Sequence, residues 1–184
     1  MGKYRLILWL EIYPMKTSKD YPKSFSHIGI TVPNIEAAVK FYSEVMGWYV
    51  IMEPSTVKKE SDTAIGQMCI DVFGEDWESF EIAHLATSDG IGIELFSFPH
   101  GVKEAPEFNP FNTGLFHFCI QDPNIEDLIA KIVSHGGKQR IPIREYYPHD
   151  KPYKMCYVED PFGIVFEIYT HSYELTYSSG AYAK

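Results

Sequence analysis

Apolar and polar residues alternate over residues 25–32, with Ile28, Ile30 and Val32 on one side and His27, Gly29 and Thr31 on the other. A period of two predicts a strand with one face in the core. Pro33 ends it, Asn34 is placed as an N-cap, and Glu36 falls in the first turn, where a carboxylate meets the positive end of a helix dipole. The period then changes to that of a helix through Ile35, Ala38, Val39, Tyr42, Val45 and Met46, and Gly47 is positioned to terminate it. A second strand is predicted over 48–52. Residues 53–79 lose regularity and read as an exposed loop of the length used for lids, binding loops or insertions. Two paired strands follow over 80–85 and 91–98, joined by the turn signal SDG. Glu94 sits inside the second of them, between Ile93 and Leu95.

The same order returns further along the chain. A strand over 115–121, a helix over 124–135 stopped by Gly136 and Gly137, a short strand over 141–144, and strands over 155–158 and 164–169 around the turn Asp160-Pro161-Phe162-Gly163 make a second copy. SHIGITVPNIE (26–36) reappears as FHFCIQDPNIE (116–126), so that His27, Pro33, Asn34, Ile35, Glu36 and Gly47 recur as His117, Pro123, Asn124, Ile125, Glu126 and Gly137 at one offset of 90. An ungapped echo of this kind marks one supersecondary unit used twice. The predicted class is therefore α+β, from two βαβββ modules at 25–98 and 114–171, with an arm or extra strand at 1–24, a linker at 99–113 and a tail at 172–184. The interval from His27 to Glu94 is longer than that from His117 to Glu167, so the first module holds the extra length in its loop.

Composition narrows the function classes. At 184 residues, with 45% hydrophobic and 15% aromatic content, the chain supports a packed core. Its 16 Lys and Arg against 25 Asp and Glu give a net charge of -9, which argues against a nucleic-acid partner because phosphate recognition needs a concentrated basic surface. Cys69, Cys119 and Cys156 are odd in number and widely spaced, which fits reduced thiols in a cytoplasmic protein rather than a disulfide framework. The apolar run at 6–10 is too short to span a bilayer, is closed by Glu11 and precedes no small-residue cleavage site, so neither export nor membrane insertion is expected.

Strand alternation puts His27 and His117 on the face away from the core and gives Glu94 and Glu167 matching places in the last strands of their modules. If the sheets meet as a cleft, two imidazoles and two carboxylates would converge on one divalent ion with positions left for water or substrate. Hydrogen-bonded structural residues are the alternative reading of the same pattern.

The His-x-Gly strand, the helix PNIEAAVKFYSEVMGW and the ending DPFGIVFEIY resemble the vicinal oxygen chelate superfamily over residues 25–171. The resemblance implies that the modules form an open cup-shaped mixed sheet around one divalent metal ion, whether Zn, Ni, Co, Mn or Fe. It assigns His27, Glu94, His117 and Glu167 as ligands, a set similar to that of glyoxalase I and its isomerase relatives. The implied activity is that of a metal-dependent lyase or isomerase of glyoxalase type. The metal would stabilise an enediolate formed from a small substrate with adjacent oxygens, and Glu167 or Glu94 would act as the catalytic base. Phe96 and Tyr169, on the faces of the two glutamates, and Arg144 and Lys154, in or beside the second-module loop, are the candidate substrate-binding residues. The sequence GIGIELFSF around Glu94 departs from the glutathione-dependent signature, which counts against glutathione. His84, His100 and His135 have no motif support. The resemblance also implies a homodimer, with modules pairing within or between chains. An Fe(II) extradiol dioxygenase and a metal-independent drug-binding protein of the bleomycin resistance kind are the alternatives.

Overall fold

The computed structural model describes residues 22–99 and 108–178. The predicted N-terminal arm up to residue 21, most of the linker and the end of the tail lie outside the described residues. In the first module β1 (His27–Thr31) leads into α1 (Ile35–Met46), β2 (Tyr49–Lys58), α2 (Ala64–Phe73), β3 (Ser79–Ala86) and β4 (Gly92–Ser97). The second runs β5 (Phe118–Gln121), α3 (Ile125–Ser134), β6 (Lys138–Gln139), β7 (Arg144–Glu145), β8 (Lys154–Glu159) and β9 (Val165–Tyr169), followed by α4 (Tyr173–Ser178). The sheets have matching strand orders, β1-β4-β3-β2 and β5-β9-β8-β6, with β7 also on β8. First and last strands pair in parallel in both, β1 with β4 and β5 with β9, while the other pairs are antiparallel.

Ile35, Ala38, Tyr42 and Val45 of α1 and Ile125, Leu128, Ile129 and Ile132 of α3 are buried in one core shared by both modules. Asn34 caps α1 as expected, its side chain accepting from Ala37 N at 2.8 Å, whereas Asn124 makes no side-chain cap bond. A buried polar link between modules comes from the Asp160 turn. Tyr42 donates its hydroxyl to Asp160 Oδ2 at 2.6 Å, while Oδ1 accepts from Phe162 N and Ile164 N, each at 2.8 Å. Burial raises the Asp160 pKa, and the Tyr42 ring stacks on Trp48.

The expected 53–79 loop is replaced by two elements. β2 continues to Lys58, and its register shifts around Met52–Ser55 absorb Pro54, which lacks a ladder donor. α2 is capped by Thr63, whose Oγ1 accepts from Gly66 N at 3.1 Å. Only Gly66 and Cys69 of α2 are buried, so too narrow a stripe faces the protein to give a clear helical pattern. Phe73 at its end packs edge-on against Trp77, Phe80, Phe96 and Phe98. Of the strand expected at 141–144 only Arg144 is in a strand, as the first residue of β7, while β6 lies ahead of it at Lys138–Gln139, and the described part of the tail folds as α4.

Replacing Tyr42 by Phe leaves the buried Asp160 carboxylate without its hydroxyl donor. Urea unfolding is expected to show a loss of about 1.5–3 kcal/mol with little change in helix signal. The repeated glycines separate in a second test. Gly47 has φ 67 with open space around it, whereas a Cβ on Gly137 would lie 2.5 Å from Glu159 O. Asn tolerates the left-handed region, so Gly47→Asn is expected to cost less than about 1 kcal/mol in the same measurement, and Gly137→Asn more.

Candidate metal centre

Gly29 of β1 is the register partner of Glu94 in β4, and Cys119 of β5 is the partner of Glu167 in β9. In both modules the histidine lies two residues before that partner, hence on the same face. The consequence is two equivalent pairs. His27 Nε2 is 3.7 Å from Glu94 Oε2, and His117 Nε2 is 3.5 Å from Glu167 Oε2.

Their surroundings differ. The His27 and Glu94 side chains are 53% and 28% exposed, and Ser26 Oγ lies 3.2 Å from His27 Nδ1, which leaves Nε2 facing the carboxylate. His84 flanks Glu94 from β3, its Nδ1 3.8 Å from Oε1. Glu167, by contrast, has a side chain only 7% exposed, and desolvation pushes its carboxyl up to about 7. Burial lowers the His117 imidazole, so both partners are shifted toward their neutral forms. The ring of His117 meets Phe116 and Tyr157 edge-on, and its Nδ1 is buried without a hydrogen-bond partner. Burial, followed by the Glu167 charge, pushes the Tyr157 phenol and the Cys119 thiol each up to about 12.

These donors fit a divalent ion. Two ligands each about 2.1 Å from one metal stand about 3.0–3.5 Å apart at ordinary coordination angles. The observed separations lie at and slightly beyond the long end of that range, and imidazole with carboxylate suits Zn, Ni, Co, Mn or Fe. Among the described residues no three His, Cys, Asp or Glu side chains gather to hold an ion.

The candidate substrate-binding residues divide. Phe96, two residues beyond Glu94, stacks with Phe98 and contacts Phe73 and Phe80 in an aromatic wall on the first module. Tyr169, two residues beyond Glu167, shares hydrogen bonds with Tyr146 and Tyr177 at 2.8 Å each, and Tyr146 and Tyr177 close the ring at 3.1 Å. Arg144 is the register partner of Met155, itself the partner of Tyr169, which places it on the Glu167 face. Lys154 has the opposite parity, and its ammonium is bound to Glu126 Oε1 at 2.6 Å at the start of α3. Of the two basic candidates, strand alternation thus keeps Arg144 with Glu167 and turns Lys154 to the other face.

His84 and Tyr157 were not singled out by sequence motifs. Both stand ten residues before a candidate ligand (84 to 94 and 157 to 167) and are its register partner across an antiparallel pair. That repeated spacing is the signal that finds them.

The model of the Glyoxalase/Bleomycin resistance protein/Dioxygenase superfamily matches residues 24–168. No curated protein matches the chain in sequence. Among solved structures, a glyoxalase family protein from Bacillus cereus is similar with a TM-score of 0.65 and 21% identity, over 83% of this chain and 96% of that one. A glyoxalase I mutant from Zea mays gives 0.53 and 18%, over 80% of this chain and 45% of the other. A mutant of the fosfomycin resistance protein FosX from Listeria monocytogenes, complexed with Mn(II) and 1S,2S-dihydroxypropylphosphonic acid, gives 0.53 and 14%, over 84% and 98%. With its paired parallel-closed modules and a family match over most of its length, the chain belongs to the glyoxalase/bleomycin resistance protein/dioxygenase superfamily.

Proposed function

We propose that the protein is a metal-dependent lyase or isomerase of glyoxalase type, with His27, Glu94, His117 and Glu167 as the ligands of one divalent ion. The observation that carries this reading is the duplicated His–Glu pair, with nitrogen-to-oxygen separations of 3.7 and 3.5 Å. At these separations neither pair is joined by a direct hydrogen bond. Among the described residues of one chain no three such side chains gather, and the reading places each complete site between two copies, with the first module of one facing the second module of the other.

When bound, the ion would polarise two adjacent substrate oxygens and make the neighbouring C–H bond acidic. Glu167 is the better base of the two carboxylates. Its side chain is only 7% exposed, so little water competes for the proton it takes and returns. Glu94 and the two histidines serve to hold and orient. Tyr157 and Tyr169 enclose Glu167 and limit water around the proton in transit. Arg144, which makes no ion pair among the described residues, is available to an anionic substrate group, and Phe96 with its aromatic neighbours supplies an apolar wall.

Subunit mixing tests the metal site. Elemental analysis should find one divalent ion per chain in the wild type and almost none in His27→Ala or His117→Ala. Random reassociation of these two variants should restore about a quarter of the wild-type metal, because half the dimers are mixed and each contains one intact site. No recovery on mixing would place the sites within single chains, and full metal retention in either variant would remove that histidine from the ligand set.

The chemistry has its own check. With a panel of 2-hydroxy ketones and thiol adducts of 2-oxoaldehydes in deuterated water, the metal-loaded protein should exchange the carbon-bound proton. Glu167→Gln should slow that exchange by about 10²–10⁴-fold. Oxygen uptake with a catechol, in the absence of such exchange, would move the assignment to ring cleavage.

A further inference from the structure

His84 stands apart from the sequence motif yet lies directly across the sheet from Glu94, as its register partner in the antiparallel β3–β4 pair. The two imidazoles address different oxygens of one carboxylate. His27 Nε2 faces Oε2 at 3.7 Å, and His84 Nδ1 faces Oε1 at 3.8 Å. In the second module the corresponding residue is Tyr157, opposite Glu167. The repeat has thus kept the histidine of the first strand and the glutamate of the last strand, and has changed the group on the far side of the carboxylate.

We propose that His84 is a positioning residue for Glu94, holding Oε1 so that Oε2 is presented beside His27 as a ligand. The proposal rests on the metal-site reading above and deepens it. A carboxylate that gives one oxygen to an ion leaves the other free to swing, and a donor on that second oxygen fixes the side chain in its binding orientation. The remaining ångström, from 3.8 Å to a charge-assisted bond of about 2.8 Å, falls to rotation of two side chains that are 33% and 28% exposed and therefore not locked by packing. Met52 of β2 is the other register neighbour of His84 and offers no charge to compete for the imidazole. Glu167 has a phenol opposite it in place of an imidazole. The duplicated carboxylates thus have different neighbours, an imidazole across the sheet from Glu94 and phenols around Glu167.

Cobalt(II) binding to the purified protein, followed by its visible d–d absorption and by competition with a chelator, tests this without recourse to substrate. His84→Ala is expected to weaken Co(II) binding by about 10–100-fold and to alter the band pattern. His84→Asn, whose side-chain amide places a donor near the position of Nδ1, is expected to recover most of the affinity. Wild-type affinity and spectrum in His84→Ala would overturn the proposal. Equal losses in the Ala and Asn variants would do so too, since they would show a packing role rather than a donor role. Glu94→Ala separates this failure from that of the underlying reading. If it binds Co(II) as the wild type does, Glu94 is not a ligand and the four-ligand site falls together with the role of His84. If it loses binding while His84→Ala does not, only the present proposal falls.

Discussion

Everything at the site depends on a parallel strand pair that closes each module. A strand reached through a helical crossover and an antiparallel meander returns beside the first strand and runs in the same direction, β4 on β1 and β9 on β5. The helix covers one face of the sheet and leaves the other bare. Side chains on the bare face of the first and last strands then become neighbours whatever their separation in sequence. That is how His27 meets Glu94 and His117 meets Glu167 at nearly equal distances, 3.7 and 3.5 Å, although the chain between them is longer in the first module. The extra length, which carries the end of β2 and all of α2, does not disturb the pair because it lies between strands that the register fixes independently.

The repeated backbone presents the same two candidate ligands in unlike media. Glu94 keeps contact with solvent and has an imidazole on either side; Glu167 is buried among phenols and a neutral imidazole. A difference of this kind cannot come from the strands, which are equivalent, and arises from what covers them. On the second module the Tyr146, Tyr169 and Tyr177 hydroxyls tie the residue just after β7 to β9 and α4 beside Glu167. On the first, Phe73 at the end of α2 joins the aromatic cluster over Phe80, Phe96 and Phe98, at the end of the face beyond Glu94. The covers thus leave one carboxylate wet and the other dry.

Element order, the repeat and the faces of the four ligand candidates were legible because each depends on local alternation or on an ungapped echo. α2 was not, since its sequence IGQMCIDVF is apolar on most sides and only Gly66 and Cys69 are buried, so no polar face contrasts with a core face. The continuation of β2 past Pro54 was hidden for a different reason: a register shift tolerates a residue that ordinarily marks a break. Lys154 looked like part of a polar loop, but it opens β8 on the side of Glu126, and only the strand boundary decides that parity. His84 and Tyr157 needed the register of a cross-strand pair, which spacing from a single ligand does not supply; the matching interval of ten in both modules becomes meaningful once the antiparallel pairs are known.

The dry carboxylate also bears on why the donor set suits a cation. A buried ionised carboxylate is costly unless it is paired, and Glu167 has within reach a phenol, Tyr169, and an imidazole that burial has itself made reluctant to carry charge. Neither brings a full positive charge to it. A divalent ion satisfies imidazole and carboxylate at once, because it takes the lone pair of a neutral imidazole and the charge of a carboxylate, whereas a proton shared between them serves only one. The first module supplies a complementary environment, exposed enough for its imidazoles and carboxylate to receive an ion from water. On the proposed reading one half would admit the cation and the other dehydrate it, a division of labour that requires the two modules to differ in cover while remaining alike in backbone.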